Sequence, residues 1–433
     1  MSRMVNKVNI ITLGCSKNLV DSENLLGELK ARGVDVLHES EEACDHVIIN
    51  TCGFIGDAKE ESINTILRYA VDKKKGIIKK LFVTGCLSQR YARELRDEIH
   101  EVDGFYGTED IPAILKDLGF DPRKDLIGER VITTPSHYAY LKISEGCDRK
   151  CSFCAIPLIR GRHRSRTPES LLEEARFLAS KGVKEIILIA QDLTWYGIDL
   201  YKKQYLASLL RSLSDVDGIE WLRLHYAYPA AFPDDVLEVM RERTNICNYL
   251  DIPLQHISDP ILKSMKRSVG STETYRLIEK IRKMLPDAAL RTTMLVGYPG
   301  ETENDFKQLL KFVEESRFDR LGVFTYSEED GTSAAKLPDN IPHKVKVERM
   351  EALLGLQQNI SLELNEQKIG KTFKTLIDKK EGDYMSGRTE YDSPEVDNEV
   401  IIRDPGLEIG EFYNIHIESA SEFDLLGKKL NSP

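Results

Sequence analysis

The chain reads as a multidomain α/β protein with three parts. An open parallel α/β domain comes first, a six-unit partial (β/α) barrel second, and a small antiparallel β-barrel last. Three observations carry this reading. The β-branched runs VNIITLGC, HVIINTC and KKLFVTGC near the N-terminus are each followed by a helical pattern. From Tyr138 six further strand-like runs alternate with helical ones. From Lys368 the texture changes to short alternating strands separated by EGD, SPEVDN and DPGLEIG. Boundaries fall at 1–130, 131–367 and 368–433.

In the first part, LGCSKNLVDSENLLGELKARG becomes an amphipathic helix with Leu25, Leu26 and Leu29 on one face and a stop at Gly33. SQRYARELRDEI after Cys86 reads as another helix. The segment GFDPRKDLIGERVITTP is rich in Gly, Pro and charge, which marks a linker.

In the second part the strands are YAYLKIS, KEIILIA, IEWLRLHYA, CNYLDIPLQ, AALRTTMLVG and RLGVFTYS. TPESLLEEARFLASKG and TYRLIEKIRKML are helical patterns between them. Six units fall short of the closed eight-unit barrel, and functional groups should sit at the strand C-termini. Polar residues stand there: Gln191 and Asp192, Arg223 and His225, Gln255 and His256, Arg291 and the loop GYPGE.

Each has a plainer alternative. GYPGET followed by Asp305 is also a turn before a helix capped by Thr302. His225 and His256 suit satisfied structural histidines better than metal ligands. The run Arg160, Arg162, Arg164 and Arg166 is either a solvated face, a set of salt bridges or a carboxylate clamp.

HKVKVERMEALLGLQQNISLELNEQ is a long helix leading into the third part. There Tyr413, Ile415 and Ile417 alternate with Asn414, His416 and Glu418, the pattern of a half-buried strand.

The cysteines carry the chemistry. Six of the eight fall into two groups of three. Cys147, Cys151 and Cys154 lie in CDRKCSFC, and short Cys spacings let one loop wrap one iron–sulfur cluster. Three thiolates leave the fourth iron of a cubic 4Fe–4S cluster open to a small molecule. Structural zinc would want a fourth ligand, and no second knuckle or His pair lies nearby. Inert buried thiols fit poorly with Asp148, Arg149 and Lys150 in the same loop. Cys15, Cys52 and Cys86 each end a strand-like run, and in an open parallel sheet such loops converge on one crevice. Gly14, Gly53 and Gly85 permit tight turns beside them. Cys44 and Cys247 lack such settings and read as structural.

The chain has 433 residues and a net charge of −11, which argues against a broad electrostatic grip on nucleic acid while leaving room for a basic patch. No run of 18 apolar residues occurs, MSRMVNKVNI lacks a signal-peptide core, and unpaired clustered cysteines suit a reducing compartment. A cytoplasmic enzyme away from membranes is the expectation.

The C-x-x-x-C-x-x-C spacing with Phe153 before the last cysteine resembles the radical S-adenosylmethionine (SAM) superfamily. With all six cysteines and the order of parts, the whole chain resembles the methylthiotransferases, whose C-terminal barrel is called TRAM. The resemblance implies that Cys15, Cys52 and Cys86 hold an auxiliary 4Fe–4S cluster that carries the inserted sulfur. It implies that Cys147, Cys151 and Cys154 hold the cluster that binds SAM. One SAM would methylate the sulfur and another would supply the radical that removes a substrate hydrogen. By analogy, Phe153, Gln191, Asp192, Gln255, Arg291 and Gly297 would contact SAM, and the site would lie between the two α/β domains.

LGCSKNLVDSE, YLDIPLQH and SEFDLLGKKL resemble the RimO branch, which modifies the β-carbon of an aspartate in small-subunit ribosomal protein twelve. Residues 367–433 carry 9 Lys and Arg against 14 Asp and Glu, a balance of −5. An acidic barrel suits a basic ribosomal protein better than tRNA, unless it merely follows the acidity of the whole chain. The alternatives are tRNA adenosine methylthiolation and a two-cluster electron-transfer or binding protein. Sulfur and electron donor proteins are further expected partners.

Overall fold

A computed structural model describes residues 7–121 and 130–430. The centre of the expected linker, residues 122–129, lies outside the described residues, as do the first six and the last three residues.

The first five strands are β1 (Lys7–Thr12), β2 (Asp35–His38), β3 (His46–Thr51), β4 (Lys80–Gly85) and β5 (Gly104–Phe105). They form a parallel sheet of order β2-β1-β3-β4-β5. Their β-branched runs are buried on both faces, as a sheet covered by helices requires. Helices α1 (Ser16–Ala31), α2 (Gly56–Lys74) and α3 (Cys86–Glu98) follow β1, β3 and β4. Leu25, Leu26 and Leu29 of α1 are buried against Val8, Ile10 and Ile48, each contributing about 1.5–3 kcal/mol relative to exposure. The strand order reverses between β1 and β3, which is where ligands of doubly wound sheets bind.

The central sheet is also parallel. Its strands are β6 (Tyr138–Lys142), β9 (Glu185–Ile189), β10 (Trp221–Leu224), β11 (Ile246–Asp251), β12 (Ala289–Val296) and β13 (Arg320–Thr325). They neighbour one another in chain order, so the six expected units curl into an open barrel. Between β6 and β9 a small antiparallel pair, β7 (Ser144–Glu145) and β8 (Arg164–Ser165), ties the two ends of the CDRKCSFC loop together.

The last part is a closed barrel of β14 (Thr372–Glu381), β15 (Tyr384–Thr389), β16 (Val400–Ile402), β17 (Phe412–Ala420) and β18 (Leu425–Lys429). It is antiparallel except where β16 pairs in parallel with β18. The helix His343–Glu366 leads into it. Among the described residues no helix is long and apolar enough to cross a membrane.

The parts are joined by buried contacts. Leu19 and Val20 of α1 pack on Tyr138, Tyr140, Ile187 and Ile189 of the central sheet. Arg130 bridges Glu23 and Glu174. The C-terminal barrel is docked by Arg388, which pairs with Glu185 at 2.8 Å and Asp378 at 2.7 Å. Asp392 meets Arg320, and Ser393 meets His225 at 2.7 Å. Several acids of that barrel therefore face the central domain, so its sequence balance overstates its outward negative charge.

Candidate functional site

The three strand exits of the first domain meet as the sequence predicts. Gly14 adopts φ +95°, and a Cβ there would fall 2.7 Å from the Cys52 Cβ. A Cβ on Gly53 would fall 2.6 Å from the backbone of Leu87. Only glycine lets the Cys15, Cys52 and Cys86 loops approach so closely. Cys15 is exposed, whereas Cys52 and Cys86 are buried. Burial pushes the Cys86 thiol up to about 11, Arg160 draws it back down, and Cys15 and Cys52 raise it further. The Cys52 thiol is raised chiefly by burial and also by Cys15.

The second triad sits on one loop after β6. The Cys147 N–H donates to the Gly161 carbonyl at 3.1 Å and the Cys154 N–H to the Cys151 carbonyl at 3.2 Å. Burial raises Cys147 to about 11 and Cys154 to about 12, with the neighbouring thiols adding to both shifts. Arg267 donates to Cys151 Sγ at 3.4 Å. Arg149 is held by Asp192 at 2.8 Å, with its guanidinium 4.0 Å from the Trp195 and Tyr228 ring centres.

The triads face each other across the domain junction. Cys86 packs with Ala155, the chain neighbour of Cys154, and with Ile159. Arg160 donates to Cys86 Sγ at 3.5 Å, to Asn18 at 2.5 Å and to Asp21 at 2.6 Å. It also reaches Glu145 at 3.2 Å. Burial pushes the carboxyl of half-buried Glu145 up, but Lys142 and Arg160 outweigh it and hold it down at about 2.

Both triads fit an iron–sulfur cluster. Burial and neighbouring thiols raise Cys52 and Cys86 in one and Cys147 and Cys154 in the other, and metal ions would relieve that cost by replacing the protons. No group of three His, Cys, Asp or Glu among the described residues is spaced for a single ion. A multi-iron cluster needs a wider thiol spacing than one zinc does.

The other expected contacts divide. Gln191 donates to Glu145 at 2.6 Å and keeps its buried amide oxygen unpaired. Gln255 lies in the left-handed region at φ +76°, and its backbone is pinned beside Met294. Such a strained residue at a strand exit belongs to the pattern of ligand clamps. Asp192 is spent on Arg149 and Thr194. Phe153 packs in an apolar cluster with Met265, Leu295 and Tyr298. Arg291 pairs with Asp397 of the C-terminal barrel at 3.1 Å. Gly297 donates to Glu301 at 2.5 Å, and the Lys346 side chain fills the space beside its Cα.

GYPGET precedes the helix Glu303–Ser316, which Thr302 and Asp305 cap reciprocally. His256 accepts from the Ser258 N–H and is pushed down to about 4, chiefly by burial. Of the arginine run, Arg160 bridges the domains, Arg164 meets Glu109, and Arg166 meets Glu174 at 2.5 Å. A cavity of about 720 Å³ lined by Leu172, Arg176, Ser212 and Asp215 lies on the outer helical layer and contains no cysteine.

Asn18 and Lys17, which follow Cys15 in the first turn of α1, were not legible as site residues. Polar side chains at a helix start look like a solvated face. Their short distance from Cys15 was the available signal.

Comparison with known proteins agrees with this geometry. Residues 7–107 match "Uncharacterized protein family UPF0004", residues 141–313 the radical SAM superfamily, and residues 369–429 the TRAM domain. The chain is 57% identical over 425 residues to ribosomal protein uS12 methylthiotransferase RimO of Cytophaga hutchinsonii, covering 98% of this chain and 97% of that protein. The RimO of Flavobacterium psychrophilum is also 57% identical, with 98% of each chain covered. Among solved structures, the radical SAM methyltransferase TsrM of Kitasatospora setae shares the fold with a TM-score of 0.53 at 15% identity, covering 88% of this chain and 81% of its own. The radical SAM enzyme OxsB shares it with a TM-score of 0.51 at 13% identity, covering 81% of this chain and 56% of its own.

Proposed function

The chain belongs to the RimO family of ribosomal protein uS12 methylthiotransferases, and from that premise we propose how its residues divide the work. It is a radical SAM enzyme that transfers a methylthio group to uS12, with 4Fe–4S clusters and SAM as cofactors. Cys15, Cys52 and Cys86 hold the auxiliary cluster, and Cys147, Cys151 and Cys154 hold the SAM-binding one. Bound there, the two clusters supply a transferable sulfur and the reductive cleavage of SAM, respectively. The target is the β-carbon of an aspartate.

The contact of Cys86 with Ala155 carries this reading, because it puts both triads on one junction. The protein's own contribution is placement and exclusion of water. Arg267 and Arg160 each donate to a ligand sulfur, which steadies the charge that the thiolate carries. Arg149, anchored by Asp192 and sandwiched between Trp195 and Tyr228, fixes the second cysteine loop over the mouth of the barrel. The apolar seam between α1 and the central sheet closes one side of the junction.

Gln191 and Gln255 are the direct SAM contacts, since both keep side-chain amide atoms free. Phe153, Asp192, Arg291 and Gly297 shape the walls around them. A ribosomal-protein substrate argues for the cytoplasm, and sulfur and electrons reach the clusters from separate donor proteins.

Anaerobic incubation of reconstituted enzyme with SAM, reductant and sulfide, offering uS12 and unmodified tRNA in parallel, tests the reading. Mass spectrometry should find a methylthio group on a uS12 aspartate. The same group on tRNA adenosine would overturn the substrate assignment.

A further inference from the structure

Lys17 is the second residue of α1, two positions after Cys15, and only 8% of its surface is exposed. A buried ammonium is normally paired with a carboxylate, because desolvating an unpaired charge is unfavourable. Among the described residues Lys17 has no ion pair or hydrogen bond. Its ammonium instead lies 3.0 Å from the centre of the Tyr226 ring, across the domain junction.

The surroundings ask for an anion. Tyr226 is held in the left-handed region at φ +64°, at the exit of β10. Its N–H donates to Asp251 at 3.1 Å, and Arg291 stands 3.7 Å from the same carboxylate. Asp251 feels the Lys17 charge and keeps one buried oxygen without a hydrogen bond, yet it forms no ion pair with Lys17. The neighbouring His225 imidazole is held neutral by burial and by Arg223, Arg291, Lys17 and Arg388. No side chain caps the start of α1, so its first N–H groups also point toward the Cys15 side of the junction. The Tyr226 ring covers one side of the ammonium, and the uncapped start of α1 lies on the Cys15 side of Lys17.

We propose that Lys17 binds the side-chain carboxylate of the substrate aspartate and thereby holds the adjacent β-carbon at the junction of the two cysteine triads. The inference rests on the uS12 reading and extends it to a residue. The carboxylate is attached directly to the carbon that reacts, so a cation two residues from Cys15 fixes that carbon close to the first triad. Lys17 also selects aspartate over its neutral amide, since only the ionised group offsets the buried charge.

Fluorescence anisotropy on the reconstituted holoenzyme, with labelled peptides carrying the uS12 target aspartate or asparagine in its place, tests this. Wild-type enzyme should bind the aspartate peptide on the order of 10- to 100-fold more tightly. Lys17→Met should erase that preference, and Lys17→Arg should restore part of it. If Lys17→Met loses iron, Lys17→Gln replaces it; the ratio between two peptides on one preparation cancels incomplete loading.

A preference retained in the neutral variants overturns the assignment. So does a loss of SAM affinity with the peptide preference unchanged, which would make Lys17 a cofactor contact. Wild-type enzyme that methylthiolates uS12 yet does not distinguish the peptides defeats the Lys17 assignment alone. Wild-type enzyme that neither binds nor modifies uS12 defeats the underlying function.

Discussion

The guanidinium of Arg160 donates to the Cys86 thiol at 3.5 Å, although the two residues belong to different domains. Arg160 lies six residues after Cys154, so the loop that presents one triad also touches the other. Its two terminal nitrogens also reach Asn18, Asp21 and Glu145, and the side chain is almost fully buried. Replacing it by Ala leaves Asp21 and Glu145 without one of their cations and should cost about 3–5 kcal/mol of stability. Denaturant unfolding measures the cost. Methylthiolation should fall more steeply than SAM cleavage, since the contact is to the first triad. Equal losses in both activities would mean that Arg160 serves only to join the domains.

The proposed assignment gives the two triads separable duties. Cys15→Ala should abolish methylthiolation while 5′-deoxyadenosine still forms, and Cys154→Ala should abolish both. Iron content should drop by one cluster in each variant. A Cys15 variant that still methylthiolates normally would remove the auxiliary cluster from Cys15, Cys52 and Cys86.

His256 gives the chain an acid-sensitive component. Burial, opposed by Asp305 and reinforced by Arg349, pushes its imidazole down to about 4 from 6.5. The folded protein therefore keeps it neutral while the unfolded chain takes up a proton near 6.5. Its contribution is complete above pH 6.5 and is lost as pH falls toward 4, by up to about 1.4 kcal/mol per pH unit. The urea midpoint of the apo-protein should drop between pH 7 and 4.5, and less so in His256→Asn. Equal drops in both would assign the acid limb to other groups.

The C-terminal barrel should detach when Arg388 is removed. Arg388 is 2% exposed and pairs with Glu185 and Asp378. Arg388→Ala leaves Asp378 short of a partner at the interface, at about 3–5 kcal/mol. Limited proteolysis should then cut near residues 367–371, between the long helix and β14. Unchanged protection there would mean that Asp392–Arg320 and Ser393–His225 suffice to dock the barrel.

Much of this arrangement was legible in the residues. All six central strands and the three cysteine-bearing exits sit where β-branched runs end, because parallel strands buried on both faces need such runs. Several short strands escaped, among them the two-residue Gly104–Phe105, Ser144–Glu145 and Arg164–Ser165, which are too short to show a pattern. Asp35–His38 is a four-residue edge strand, and Leu425–Lys429 combines a glycine with two lysines, so neither shows clean alternation. The parallel β16–β18 pair depends on long-range closure, which local patterning does not encode.

At the site, cysteine spacing pointed to Cys147, Cys151 and Cys154 and strand exits to Cys15, Cys52 and Cys86, while the arginine run left Arg160 open between three roles. Only the fold shows it reaching across a domain junction. Lys17 and Asn18 look like ordinary first-turn residues until α1 is laid against the central sheet.

The central claim is that both triads act on one C–H bond of the substrate. uS12 carrying deuterium at the β-carbon of the target aspartate tests it most directly. Deuterium recovered in 5′-deoxyadenosine, with the methylthio group on that same carbon, is the predicted result. Methylthiolated uS12 formed while 5′-deoxyadenosine stays free of deuterium would contradict it.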